Sequence, residues 1–232
     1  MMFDPILMVI TIFFMLIGMV VSARLKSKFK EYNEVPTSSE MSGKEIAEKM
    51  LRDNDIYDVK VISVEGQLTD HYNPLNKTVN LSQEVFLGRN VSAAAVAAHE
   101  CGHAVQHAQA YAWLQMRSTI VPIVNFSSRM MNFVFFAMLL FAFSSNLYNQ
   151  ALLVIIVLQG AITLFSLITL PVEIDASNRA LAWLNSSRIT RGEEHEKATN
   201  ALHWAAATYV VAALAAIASL LYFIMQYMGR RD

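Results

Sequence analysis

Four long apolar segments constrain the fold of this chain more than any other feature. They cover residues 3–23, 120–143, 151–170 and 205–228. A helix needs about 20 predominantly apolar residues to cross a bilayer, and these segments reach that length. The chain is also 55% hydrophobic with 16% charged residues, whereas about a quarter of a soluble domain is charged. The sequence therefore predicts a mainly α-helical membrane protein with four transmembrane helices.

Basic residues predict how the chain is oriented. The run RLKSKFK at residues 24–30 follows the first segment, and no Lys or Arg precedes it. A signal peptide carries its basic residues in front of its apolar stretch, so we interpret residues 1–23 as a retained anchor. Positively charged loops stay in the cytoplasm, which places residues 24–118 inside. With four spans, the tail at 229–232 lies outside against this rule, so either other loops outweigh it or one segment does not cross fully.

The polar residues 24–118 carry patterns typical of a small α+β unit. Ser42 and Glu45 form a capping box, which predicts a helix beginning there. Residues 59–66 alternate apolar and polar and end in Gly, as a strand does. Residues 78–82 predict a second short strand that pairs with the first.

Two further predictions concern the residues around the second strand. Residues 71–77 contain Asn-Pro and are predicted to form a turn. After the strand, a short helix is expected over residues 82–88. Ser92 is then predicted to be the N-cap of a longer helix.

That longer helix carries His99, Glu100 and His103 in an HExxH pattern. Residues four apart lie on one helix face, so both imidazoles can reach one ion. Glu100 lies about 100° around the helix from His99 and is placed to contact a water rather than the ion. This spacing suits zinc, which takes the two histidines as ligands and leaves the glutamate as a base. The alternative is a pair of helix histidines satisfied by backbone or water, which the specificity of the pattern disfavours.

Three neighbours of the pattern have other expected roles. His107 lies about 12 Å along the helix from His99 and about 80° around it, too far to bind the same ion. It is expected to support the ligands from outside, to pack or to face solvent. Cys101 points away from the histidine face and is expected to be a buried small residue. Gly102 lowers helix stability by about 1 kcal/mol relative to Ala, which favours a close approach by another backbone or by substrate.

A third ligand is expected from LPVEIDASNRALAWL at residues 170–184. Pro171 suits the first turn of a helix. Glu173 and Ser177 then share one face, while Asp175 points nearly opposite. Acids at a membrane edge need a partner, and a divalent metal is one such partner.

An ion pair is the alternative role for the two acids of this segment. Arg179 and Lys197 are the candidate partners at the membrane surface. This alternative is weaker for Glu173 than for Asp175.

Three separated stretches, TDHYNPLNKTVNLSQEVF, VAAHECGHAVQHA and LPVEIDASNRAL, resemble the YugP-like neutral zinc metallopeptidases of bacterial membranes. The resemblance covers most of the chain and implies a Zn²⁺-dependent, multi-pass peptidase of gluzincin type in the bacterial inner (cytoplasmic) membrane. More distantly, the layout is similar to the HtpX and Ste24 membrane proteases, in which HExxH lies on one helix and a glutamate on a second. That comparison implies Glu173 as the third ligand. Those relatives have an aspartate where this chain has Ser177, so Ser177, Asp175 and His107 are candidates to support the ligands.

Five consecutive regions are expected along the chain. They are a transmembrane anchor at 1–23, a cytoplasmic zincin-like region with the HExxH helix at 24–118, a transmembrane hairpin at 119–170, a juxtamembrane helix with the third ligand at 171–204, and a final transmembrane helix with the tail at 205–232.

The function predicted from these residues is a membrane metalloendopeptidase. His99, His103 and Glu173 hold Zn²⁺, and Glu100 acts as general base. The strand around Val79–Leu81 is expected to receive the substrate backbone as an added strand. Membrane-protein quality control and processing of one partner are both compatible with this.

Two other function classes remain open at this stage. A non-proteolytic scaffold or assembly factor braced by zinc is disfavoured, because a purely structural site needs no base such as Glu100. A metal transporter is weaker, because the second to fourth spans offer no ligands. A protein or peptide substrate and the lipid bilayer are the expected partners, with a membrane subunit or an oligomer left open. The net charge of −1 does not favour nucleic acid.

Overall fold

The structure, a computed structural model, describes residues 4–141 and 145–229. The described residues form seven helices and three strands. In chain order these are α1 (Pro5–Asn33), α2 (Gly43–Asp53), β1 (Lys60–Val64), β2 (His71–Asn73), β3 (Thr78–Ser82), α3 (Gln83–Leu87), α4 (Val91–Ala108), α5 (Ala112–Phe141), α6 (Ser145–Ser186) and α7 (Glu193–Met228).

Four of the helices are long and apolar enough to cross a membrane, as the sequence predicts. The candidate spans are Pro5–Asn33, Ala112–Met138, Leu147–Ser186 and Glu193–Met228, with mean hydropathies of 2.7, 1.3, 2.6 and 2.1. The second span is the least apolar because Asn, Ser and Arg interrupt its first half. Residues 1–3, 142–144 and 230–232, which belong to the predicted anchor, hairpin and tail, lie outside the described residues.

The chain divides into two compact units. The helical unit comprises Met1–Val20, Met116–Leu170 and Thr208–Asp232, and the mixed unit comprises Val21–Gln115 and Pro171–Ala207. Buried side chains of the helical unit form one apolar cluster of Met131, Leu152, Ile155, Leu158, Tyr222 and Phe223.

The mixed unit contains a three-stranded sheet in the order β1-β3-β2. β1 and β3 pair as predicted, in parallel, while β2 pairs with β3 in the antiparallel direction. The prediction of a turn over the whole of 71–77 is wrong, because His71–Asn73 forms β2. The prediction that Val79–Leu81 receives a substrate strand is also wrong. This stretch lies in the central strand, whose hydrogen-bonding groups are used by a neighbour on each side.

Helix boundaries in the mixed unit follow local capping chemistry. The predicted capping box of Ser42 and Glu45 is present at the start of α2. α4 begins earlier than predicted, because the Asn90 side chain rather than Ser92 accepts the capping hydrogen bond, from the Ala93 N–H at 2.8 Å. Pro171 does not begin a helix but lies inside α6.

Small side chains allow α4 to be buried on most of its surface. Ala94, Ala97 and Ala98 are fully buried in the core of the mixed unit. Cys101 is buried as predicted, and its sulfur donates to the Ala47 carbonyl oxygen of α2 at 3.5 Å. α4 is therefore held firmly inside the unit by the face opposite its histidines.

Candidate metal centre

α4 presents its two HExxH histidines side by side. The ring centroids of His99 and His103 are 4.9 Å apart, with the rings nearly perpendicular. Both lie in the interior of α4 and not in its first or last turn. The four-residue spacing thus produces the shared face that the sequence predicts.

Glu173 of α6 lies directly against these two rings. Its Oε2 is 3.4 Å from Nε2 of His99 and 3.6 Å from Nε2 of His103. The side chain is 2% exposed. Within the described residues, these three side chains form a group whose donor atoms all lie within 4.8 Å of one another.

Gly102 makes this approach of the two helices possible. A Cβ atom at position 102 would lie 2.6 Å from the Ala176 carbonyl oxygen of α6, closer than real Cβ contacts. Ala176 is itself fully buried. The expectation that another backbone approaches Gly102 is therefore confirmed.

The donor set of this group fits a zinc ion. Ligands held about 2.0–2.2 Å from a tetrahedral zinc ion lie about 3.4 Å from one another. The two His–Glu distances match that separation. Two imidazole nitrogens and one carboxylate leave a fourth position open, as in catalytic zinc sites.

Glu100 is buried beside the group, at 8% exposure. Its Oε2 accepts a hydrogen bond from the backbone N–H of Tyr72 at 2.9 Å. Tyr72 belongs to β2, an edge strand of the sheet. The sheet edge therefore orients the carboxylate while leaving its second oxygen available.

Both histidines have a hydrogen-bond partner on Nδ1, the ring nitrogen that does not face Glu173. The Ser177 hydroxyl lies 3.1 Å from Nδ1 of His99, and Oε1 of Gln106 lies 3.0 Å from Nδ1 of His103. Asp175 touches neither histidine, but it accepts from Nε2 of Gln106 at 2.8 Å. Metal-binding histidines usually have such partners on the second ring nitrogen.

His107 lies outside the three-residue group, as helix geometry predicts. It is exposed, and its Nδ1 is 2.9 Å from the Tyr72 hydroxyl. Tyr72, whose backbone N–H donates to Glu100, thus links His107 to the site.

Negative charge dominates the surroundings of His103. Burial disfavours its charged form, but the hydrogen bond to Glu173 and the charges of Glu100 and Glu173 outweigh burial and raise the pKa of His103. The same surroundings favour a bound cation. Burial also raises the pKa of the Cys101 thiol, which donates to the Ala47 carbonyl oxygen on the face of α4 away from the histidines.

Gln106 and Tyr72 are the site residues that sequence reasoning missed. Gln106 left a signal, since it is a polar residue one turn after His103 on a mostly apolar helix. Tyr72 left none, because its contribution is a backbone N–H and every residue except proline has one.

The structure thus defines a membrane protein with four long apolar helices, a mostly buried His–His–Glu group and an adjacent glutamate. The chain belongs to the family described as "Putative neutral zinc metallopeptidase", whose model matches residues 7–228. A relative from Bacillus subtilis (strain 168), described as "Putative membrane protease YugP", is 42% identical over 209 residues, which are 90% of this chain and 91% of the relative. These findings confirm the resemblance seen in the sequence. No solved structure matches the chain significantly.

Proposed function

We propose that this protein is a membrane-embedded, zinc-dependent endopeptidase of gluzincin type. The observation that carries the proposal is the spacing of His99, His103 and Glu173, with donor atoms 3.4 and 3.6 Å apart. These three residues would hold the zinc ion. The family description, which names a zinc metallopeptidase, supports the zinc-dependent peptidase activity.

Glu100 is the general base in this proposal. His99, His103 and Glu173 would hold the zinc ion, and the chemistry it would supply is that of a Lewis acid, polarising the scissile carbonyl and making an attacking water more acidic. Glu100 takes a proton from that water and delivers it to the leaving amine. The Tyr72 N–H, at 2.9 Å, fixes one carboxylate oxygen so that the other faces the reacting water. A site that only braced the fold would need no such carboxylate.

The test is Glu100→Gln, which keeps the size of the side chain and removes the base. We expect the variant to retain stoichiometric zinc, measured by atomic emission. We expect its cleavage rate to fall by at least about 10²–10⁴-fold, the contribution of general-base catalysis. Proteins trapped on Glu100→Gln in membranes serve as substrates, and each is incubated with purified wild type and with the variant. The matched control is Glu65→Gln, which alters an exposed carboxylate and is expected to cleave normally.

The outcomes separate the proposed functions. Trapped proteins cleaved by wild type and Glu65→Gln alone support the peptidase. If both wild type and Glu100→Gln contain stoichiometric zinc and do not differ in cleavage of the trapped proteins, the result supports the non-proteolytic scaffold. Absence of stoichiometric zinc in the wild type rejects the site. The identities of the trapped proteins distinguish general quality control of membrane proteins from processing of one partner.

We also propose that the mixed unit faces the cytoplasm of a bacterial inner membrane, because the basic run at 24–30 follows the first apolar helix. Cys101 is the sole cysteine and is buried, so it should not react with maleimides in the folded protein. Tyr57 is 76% exposed, and Tyr57→Cys provides a reporter. We expect an impermeant maleimide to label this variant in inverted vesicles and not in intact cells. Labelling in intact cells would reverse the orientation.

A further inference from the structure

Gln106 is a fully buried polar side chain, with 0% exposure. It lies on α4 one turn after His103. Burying an amide without hydrogen bonds is costly, so its partners define what it does. Its amide nitrogen joins α4 to the segment of α6 that carries Glu173, and its amide oxygen faces His103.

The nitrogen end of Gln106 faces two groups that only accept hydrogen bonds. Nε2 donates to the Val172 carbonyl oxygen at 2.8 Å and to Oδ2 of Asp175 at 2.8 Å. A terminal amide has two N–H donors, and these acceptors use both. The orientation of the amide is therefore fixed by its chemistry.

The oxygen end of Gln106 must consequently face His103. Oε1 lies 3.0 Å from Nδ1 of that ring. An amide oxygen accepts and cannot donate, so His103 carries its hydrogen on Nδ1. In the neutral ring Nε2 then keeps a lone pair, and Nε2 is the atom that lies 3.6 Å from Glu173. Gln106 thus selects the imidazole tautomer that can bind a metal.

His99 lacks an equivalent constraint. Its Nδ1 faces the Ser177 hydroxyl at 3.1 Å, and a hydroxyl both donates and accepts. Ser177 is compatible with either tautomer, whereas Gln106 is compatible with one.

Gln106 has a second effect through Val172. This residue directly precedes Glu173, and its carbonyl is held by the amide of Gln106. One side chain on α4 thereby fixes both the tautomer of His103 and the position of the helical turn that carries the third ligand. Asp175 reinforces this arrangement, since Arg179 donates to the same carboxylate oxygen.

We propose that Gln106, oriented by Asp175, is a positioning residue that sets the tautomer of His103 and ties it to the Glu173 turn. The proposal rests on the proposed metal site but not on peptidase activity. It predicts that removing the amide weakens metal binding even where all three ligands are intact.

The test measures Co²⁺ and Zn²⁺ affinity by competition with a chromophoric chelator, on purified full-length protein in detergent. Gln106→Met keeps a similar size and removes both hydrogen-bonding ends. We expect a 10–100-fold loss of affinity, as for outer partners of metal-binding histidines, and a changed visible spectrum of bound Co²⁺. The control is Gln67→Met, which makes the same substitution at an exposed glutamine of the mixed unit. It should match wild type in both measurements.

Asp175→Asn provides the second variant and tests the coupling. We expect about a 10-fold loss of affinity, because an amide at 175 no longer enforces the orientation of Gln106. In the double variant with Gln106→Met, the losses should not add, since both substitutions break one chain of hydrogen bonds. Additive losses would contradict the proposal, as would wild-type affinity with an unchanged Co²⁺ spectrum in Gln106→Met. If Gln106→Met does not remain monodisperse, Asp175→Asn decides alone, and wild-type affinity there overturns the proposal.

Metal binding and activity fail separately in this design. Wild-type protein that binds no metal refutes the proposed function before any variant is compared. Wild-type protein that binds metal without cleaving peptides leaves the role of Gln106 decided by the affinities.

Discussion

The two helix segments that form the candidate metal centre contribute different kinds of groups to it. α4 supplies His99, His103 and Glu100 within five consecutive positions, and its opposite face is packed in the core of the mixed unit. The segment of α6 from Pro171 onward supplies one proposed ligand, Glu173. It also supplies groups that position the histidines of α4. The Ser177 hydroxyl lies 3.1 Å from Nδ1 of His99, and the Val172 carbonyl and Asp175 accept hydrogen bonds from Gln106. α4 thus supplies most of the groups proposed to bind the metal or react, and α6 supplies contacts that position them.

The contributions of α4 and α6 differ least at Glu173, because this residue is the proposed ligand from α6. We expect Glu173→Ala to lose more than 100-fold in zinc affinity, beyond the range typical of outer partners. His107→Ala on α4 should keep wild-type affinity, because that ring is exposed and lies outside the ligand group. Chelator competition on both purified variants measures the difference. Equal zinc affinity in the two variants would remove Glu173 from the ligand set.

The close contact between the segments is tested at Gly102. Gly102→Ala gains about 1 kcal/mol in helix propensity, but its Cβ would lie 2.6 Å from the Ala176 carbonyl oxygen. Overpacking of this kind destabilises by about 1–3 kcal/mol, so we expect a lower Tm in detergent together with weaker zinc binding.

Gly160→Ala is the matched control on α6, since nothing lies within 4 Å of a Cβ at that position. It should keep or raise the Tm and leave zinc binding unchanged. A Gly102→Ala variant as stable as this control would show that the helices separate without loss.

The smallest expected effect is at Ser177. Ser177→Ala removes the hydroxyl beside His99, and we expect zinc affinity to fall by about 10-fold, the low end for such partners. The loss should be smaller than in Gln106→Met, because a hydroxyl does not select one tautomer. Ser186→Ala, at the exposed end of α6, is the control. A larger loss at Ser177 than at Gln106 would reverse the assigned order of the two partners.

Local patterns allowed much of the fold to be predicted. The apolar segments predicted the four long helices, and the capping box predicted α2, because burial in a membrane and satisfaction of helix ends depend on nearby residues. Predictions at element edges were less accurate. Asn90 rather than Ser92 caps α4, because both residue types cap helices and the choice depends on where the preceding chain arrives.

The sheet illustrates what sequence patterns omit. The pairing of β1 with β3 followed from two short alternating stretches. The addition of β2 did not, because three residues beside an Asn-Pro turn have no strand periodicity of their own. That short strand makes β3 central and places the Tyr72 N–H on Glu100.

By itself, the sequence determined a membrane protein with an HExxH helix, because helical periodicity and hydropathy are local properties, and the family resemblance implied Glu173 as the third ligand. Only the tertiary structure decided which atoms meet. It brought Ala176 against Gly102, and it placed Gln106 between His103 and the turn before Glu173. The contacts between α4 and α6 join residues about seventy positions apart. The orientation of the buried Gln106 amide in turn depends on which acceptors surround it.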